Sequence, residues 1–178
     1  MSATPREAKG HDSRKNLGLP ASISAIRAVR IGLAAAALGG VLCLVVATFS
    51  TVIEITVGTT SNIAAFDTHL SGYDRHSVAL IVIALFALAM ALGGLRGARP
   101  AMAAVAAAGI AVLLIALIGD LPDVHKTGQI GQLYENASAA PRIGYYLETL
   151  GGALLLLAGG GLLISSPSPG PADPEAEQ

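Results

Sequence analysis

Residues Ile31 to Ile53 read IGLAAAALGGVLCLVVATFSTVI, 23 positions without a charge, bounded by Arg30 and Glu54. About twenty apolar residues carry a helix across a ~30 Å hydrocarbon core. Inside a bilayer such a run must satisfy its own backbone hydrogen bonds, which makes it a helix. Three further runs behave alike: Ser77 to Leu95 and Ala101 to Gly119 with 19 residues each, and Ile143 to Ile164 with 22, interrupted only by Glu148. The sequence therefore predicts an all-α membrane protein, a four-transmembrane-helix bundle occupying 22–164 with spans at 31–53, 77–95, 101–119 and 143–164. Val45-Val46-Ala47 loosely resembles a signal-peptide cleavage site. The apolar stretch ahead of it exceeds the usual 7–15 residues of such signals, so the first span reads as an uncleaved anchor.

Composition agrees with the spans. Of 178 residues 53% are hydrophobic and 13% charged, about half the charge of an ordinary soluble domain. Cys43 is the only cysteine, which excludes a disulfide scaffold and any chemistry that needs a cysteine pair. A net charge of −1 argues against nucleic acid as a partner. The bilayer is the first partner expected, and a membrane-protein partner or a second copy the next.

The positions of the basic residues set the expected orientation. Arg6, Lys9, Arg14, Lys15, Arg27 and Arg30 precede the first span, and Arg96 and Arg99 lie between the second and third. Only Arg75, Lys126 and Arg142 fall on the other side. The positive-inside rule then places both termini and the short second loop in the cytoplasm, with outer loops at 54–76 and 120–142; the plasma membrane is the membrane expected. Residues 1–21 form a basic tail and 165–178 an acidic, proline-rich one, both without apolar period and expected to be disordered. Ser22 is a candidate N-cap for a helix running through Arg27 and Arg30 into the first span, whose arginines would reach anionic headgroups.

The outer loops carry the local ambiguity. Thr51–Val57 (TVIEITV) is rich in β-branched residues and stops at Gly58. It fits a strand, giving a short β-hairpin or small sheet in the outer cap, as well as it fits a continuing helix. Gln129–Tyr134 is the expected partner strand. Gly119-Asp120-Leu121-Pro122 reads as a helix stop, and Tyr145 and Tyr146 as headgroup-level anchors. Small residues recur four apart at Gly32, Ala36 and Gly40, at Ala89, Gly93 and Gly97, and at Ala103, Ala107 and Ala111, which predicts close helix packing or homodimer contact. Asn136-Ala137-Ser138 is a glycosylation sequon in form.

Two features point to chemistry. Glu148 is the one ionisable residue well inside a span, on a face with Gly144 and Gly152 that should turn inward. Intramembrane carboxylates are costly and mark binding or proton-handling sites. Three outer histidines also follow an aspartate by two: Asp67/His69, Asp74/His76 and Asp123/His125. In extended backbone each pair shares a face, and imidazole with carboxylate suits a divalent transition metal. Such a site would join the first outer loop to the second.

There is no phosphate-binding glycine loop, serine elbow, HExxH or CxxC. The layout superficially resembles that of claudins and tetraspanins. Their outer-loop tryptophan and cysteine motifs are missing, so no residue role carries over. The first expectation is a non-enzymatic protein that acts in assembly or interaction through an acidic outer cap. The alternative is a small transporter or a metal- or proton-binding protein using Glu148 and the Asp-x-His pairs.

Overall fold

The computed structural model describes residues 21–56, 69–76, 78–123, 125–133 and 137–166. Asp67, Glu135 and the sequon Asn136 lie outside the described residues, as do most of both tails. The chain runs α1 (Ala21–Phe49), β1 (Thr51–Thr56), β2 (His69–Ser71), α2 (Gly72–His76), α3 (Ala79–Leu95), α4 (Arg99–Leu114), a π-helical turn (Ile115–Asp120), α5 (Gly128–Leu133), β3 (Ser138–Pro141) and α6 (Ile143–Ser165). The protein is mostly helical. Three segments, Ala25–Phe49, Arg99–Asp120 and Ile143–Ser165, are long and apolar enough to cross a membrane. The fourth, α3, is apolar but has 17 residues, two fewer than its run in the sequence.

α6 lies against both α1 and α4, and α3 packs on the same two helices. Their shared core is thin: Ala37, Val41, Leu44, Ala84, Ala87, Ala91, Val105, Ala108, Val112, Leu155 and Ala158. Alanine at these positions lets helix backbones approach closely, which raises van der Waals contact where lipid tails offer no hydrophobic contrast. Many of the long aliphatic side chains point the other way. Leu42, Leu85, Phe86, Ile110 and Leu157 are all about half exposed or more, a continuous apolar exterior that a soluble monomer rarely shows.

The small-residue stripes are only partly in these interfaces. Gly40 sits against Gly151 and Leu155 of α6. Gly32, Ala89, Ala103, Ala107 and Ala111 are exposed. The packed face of α4 is instead Met102, Val105, Ala108, Gly109 and Val112.

At the end of the helices where α1 stops and α6 begins, three strands form a sheet of order β2-β1-β3, antiparallel throughout. The first helix ends at Phe49, and the strand alternative holds for 51–56. β1 pairs Glu54 with His69 on one side and with Ala140 on the other. Val52 and Ile53 turn into a second small core with Ala116 and Tyr145, and that burial decides for strand over helix. Tyr145 is thus a core residue rather than a headgroup anchor, while Tyr146 remains exposed. The expected strand at 129–134 is corrected: Gly128–Leu133 is helical. The second partner of β1 is Ser138–Pro141, an edge strand closed by a proline that needs no amide there.

Candidate functional site

The sheet brings the segment after α1 against the segment after α4, and α2 crosses between them. Gly72 starts α2 with its amide on the Ser50 carbonyl at 3.1 Å. A Cβ at Gly72 would stand 2.5 Å from the Ala47 carbonyl oxygen, so only glycine lets the turn lie this close to α1. Asp74 closes the turn by accepting from the Ser71 hydroxyl at 2.6 Å and amide at 3.1 Å. Those bonds hold its carboxyl below the usual range. The next two residues, Arg75 and His76, then face the end of α4.

There the helix widens. The Leu121 amide bonds the Ala116 carbonyl at 2.9 Å, an i→i−5 bond, and wide turns of this kind concentrate at functional sites. The widened turn carries Asp120 inward, where it is 1% exposed. Arg75 Nε donates to Asp120 Oδ1, and its Nη2 reaches Asp123 Oδ2 at 2.7 Å and the Gly119 carbonyl at 3.1 Å. His76 Nε2 lies 2.9 Å from Asp120 Oδ2.

Glu148 completes the cluster from α6. As its face with Gly144 and Gly152 predicts, it is fully buried. Its Oε2 stands 3.6 Å from His76 Nε2, beyond hydrogen-bond reach. Neither carboxylate oxygen has a hydrogen-bond partner among the described residues. His76, Asp120 and Glu148 each offer one ligand atom within 4.8 Å of the others.

The charges are arranged in a graded way. Burial works against the Arg75 cation, but the bonds to Asp120 and Asp123 win and its pKa rises. The bond to Asp120 likewise raises His76 above the ordinary imidazole value, against a smaller opposing effect of burial. Asp123, bonded by Lys126 and then Arg75, is held down to about 2. The surroundings of Glu148 are therefore one histidine, one buried aspartate and one guanidinium.

The six residues of the Asp-x-His pairs go to different places. His76 enters the cluster. Asp74 bonds Ser71, and Asp123 bonds Arg75 and Lys126. His69 is exposed, its Nδ1 4.0 Å from Glu54, which also pairs with Arg142. His125 is exposed, and Asp67 lies outside the described residues. Asp74 and His76 sit on a helical turn rather than on extended backbone, so two-apart spacing sends them to different neighbours.

In sequence Asp120 reads only as part of a helix stop, and Arg75 only as one of the few basic residues on the outer side. The signal available was position: Asp120 is the first charge after the third apolar run, as Arg75 and His76 are the last before the second. Charges that end adjacent runs at the same depth can meet across a bundle.

No family model, curated protein or solved structure matches this chain.

Proposed function

We propose that this is a multi-pass plasma-membrane protein that binds and releases a proton at the His76–Asp120–Glu148 cluster. In this reading α3 is the fourth span, completed by the residues just ahead of it. At about 1.5 Å per residue its 17 residues cover roughly 26 Å, near the short limit for crossing. Arg27, Arg30, Arg96 and Arg99 gather at the end away from the sheet, which supports cytoplasmic termini and an outer sheet.

The observation that carries the reading is Glu148, fully buried with both oxygens unpartnered and one imidazole 3.6 Å away. A buried charge is tolerated only when it is compensated. With Arg75 offsetting Asp120, the cluster is neutral in two ways: imidazolium facing carboxylate, or neutral imidazole facing carboxylic acid. One proton moving between His76 and Glu148 interconverts them, and a second proton charges the cluster. That is the behaviour of a proton-handling site at membrane depth.

A divalent transition metal is the second reading, favoured by the three ligand atoms within 4.8 Å. Such an ion has to displace the proton that His76 directs at Asp120 and to settle beside the Arg75 guanidinium. A proton needs neither change. The assembly reading, through an acidic outer cap, ranks below both. Glu54, Asp120 and Asp123 are paired with cations of the chain itself, which leaves less charge for a partner.

Infrared difference spectra of the detergent-purified chain test the proposal. A protonated-carboxyl band that follows pH and disappears in Glu148→Gln is expected. A spectrum identical in Glu148→Gln at every pH overturns it. Stoichiometric metal in the purified protein, lost in His76→Ala, would replace the proton with a metal ion.

A further inference from the structure

The opposite end of the helices differs in one respect. Near the sheet, Arg75, Lys126 and Arg142 each have a carboxylate partner. At the other end, none of Arg27, Arg30, Arg96 and Arg99 has a carboxylate within 4.0 Å among the described residues. Four guanidiniums gathered at one end of an apolar body, with no carboxylate beside them among the described residues, make that end attractive to an anion.

Two of them share a cavity. Arg30 and Arg99 line a space of about 430 Å³ with Ile26, Met102, Leu162 and Ser166. Arg30 is held there by its Nη2 on the Leu95 carbonyl at 2.7 Å, and a guanidinium has further donors left to offer. Arg99 Nε is buried with no acceptor. The Ser166 hydroxyl is turned to the Leu162 carbonyl at 2.7 Å and the Ser165 hydroxyl to Gly161 at 2.8 Å, so recognition falls on the two arginines. A second space of about 450 Å³ adjoins through Ile26 and Arg30, lined also by Arg27, Ile31, Ala34 and Leu95. Its lining is cationic at the rim and aliphatic below.

We infer that this groove binds one anionic phospholipid, its phosphate between Arg30 and Arg99 and an acyl chain along Ile31, Ala34 and Leu95. Guanidiniums match phosphate oxygens in geometry as well as charge. The aliphatic floor suits a lipid and offers nothing to inorganic phosphate. Basic pockets between membrane helices recognise anionic headgroups by the same chemistry.

Native mass spectrometry of the full chain, released from micelles with equal phosphatidylglycerol and phosphatidylcholine, tests it. One retained phosphatidylglycerol is expected, favoured about tenfold, with the preference lost in Arg30→Gln/Arg99→Gln and kept in Arg96→Gln. Equal retention of both lipids overturns the inference. So does an equal loss in Arg96→Gln, which would make the attraction diffuse. If millimolar inorganic phosphate displaces the lipid completely, the site is for the free anion. If removing residues 167–178 raises retention severalfold, the acidic tail is the occupant. Should the glutamine pair fail to fold, Arg30→Lys/Arg99→Lys is expected to weaken retention severalfold, and unchanged retention overturns the site.

Discussion

Glu148 and His76 face each other at 3.6 Å across the junction of α6 and α2, close enough to share a charge and too far to share a hydrogen bond. Asp120 takes the hydrogen bond instead, at 2.9 Å. The imidazole thus has one committed partner and one that it only senses, and the predictions separate the two.

Glu148→Gln removes the charge and keeps the shape. No hydrogen bond is lost, because the carboxylate makes none. Stability should change by no more than about 1 kcal/mol. Denaturant or thermal unfolding in detergent checks this, and a much larger loss would mean that Glu148 is held by a contact the structure does not show.

Asp120→Asn should be far more damaging. Its oxygens serve both Arg75 and His76, and removing one partner of a buried ion pair strands the other. A loss of about 3 kcal/mol is expected, the lower end for such pairs, since asparagine still accepts one bond. A loss comparable to that of Glu148→Gln would show that Arg75 finds enough compensation in Asp123.

His76 makes stability depend on pH in a defined direction. Its bond to Asp120 raises its pKa above the ordinary value, so the folded chain holds the proton more tightly than the unfolded one. That stabilisation is complete below the unfolded pKa of about 6.5 and disappears as pH climbs through the higher folded value. The melting temperature should fall over that window, by about 2–4 °C for each kcal/mol lost. Asp120, Glu148 and Arg75 are the charged groups that act on the imidazole, so Glu148→Gln is the background in which His76→Gln should flatten the slope.

The contact of α4 with α6 gives a stability test independent of the cluster. A Cβ at Gly159 would lie 2.3 Å from the Ala106 amide nitrogen, whereas one at Gly160 meets nothing within 4 Å. Gly159→Ala must push the helices apart and should cost about 1–3 kcal/mol. Gly160→Ala should be neutral or gain up to about 1 kcal/mol from helix preference. Side-by-side thermal melts of the two variants decide it.

The apolar runs were legible because lipid and helix geometry leave few alternatives to a long uncharged stretch. The inward face of Glu148 followed from its spacing to Gly144 and Gly152. What stayed hidden depends on contacts distant in sequence. Val52 and Ile53 became a strand by packing on Ala116 and Tyr145. Ser138–Pro141 (SAAP) has little strand preference of its own and pairs only because β1 offers an edge. Gln129–Leu133 holds Ile130 and Leu133 three apart, a helical spacing too short to stand out among its polar and glycine neighbours. Asp120 depends on such distant contacts as well. It read as part of a helix stop, and nothing local announces that the last turn widens.

That widened turn makes the cluster depend on the number of residues as well as on their kinds. Ile115–Asp120 takes up the slack of an i→i−5 bond, so a single deletion there, for example of the exposed Ile118, would let the segment rewind as an ordinary α-helix. Every later position would then keep nearly its present angle about the axis, because the deletion takes out the one residue that the wide turn absorbs. Rewinding the turn with all its residues would instead swing Asp120 by about 100° away from Arg75 and His76. The arrangement of charges at this junction is, in that sense, a matter of phase.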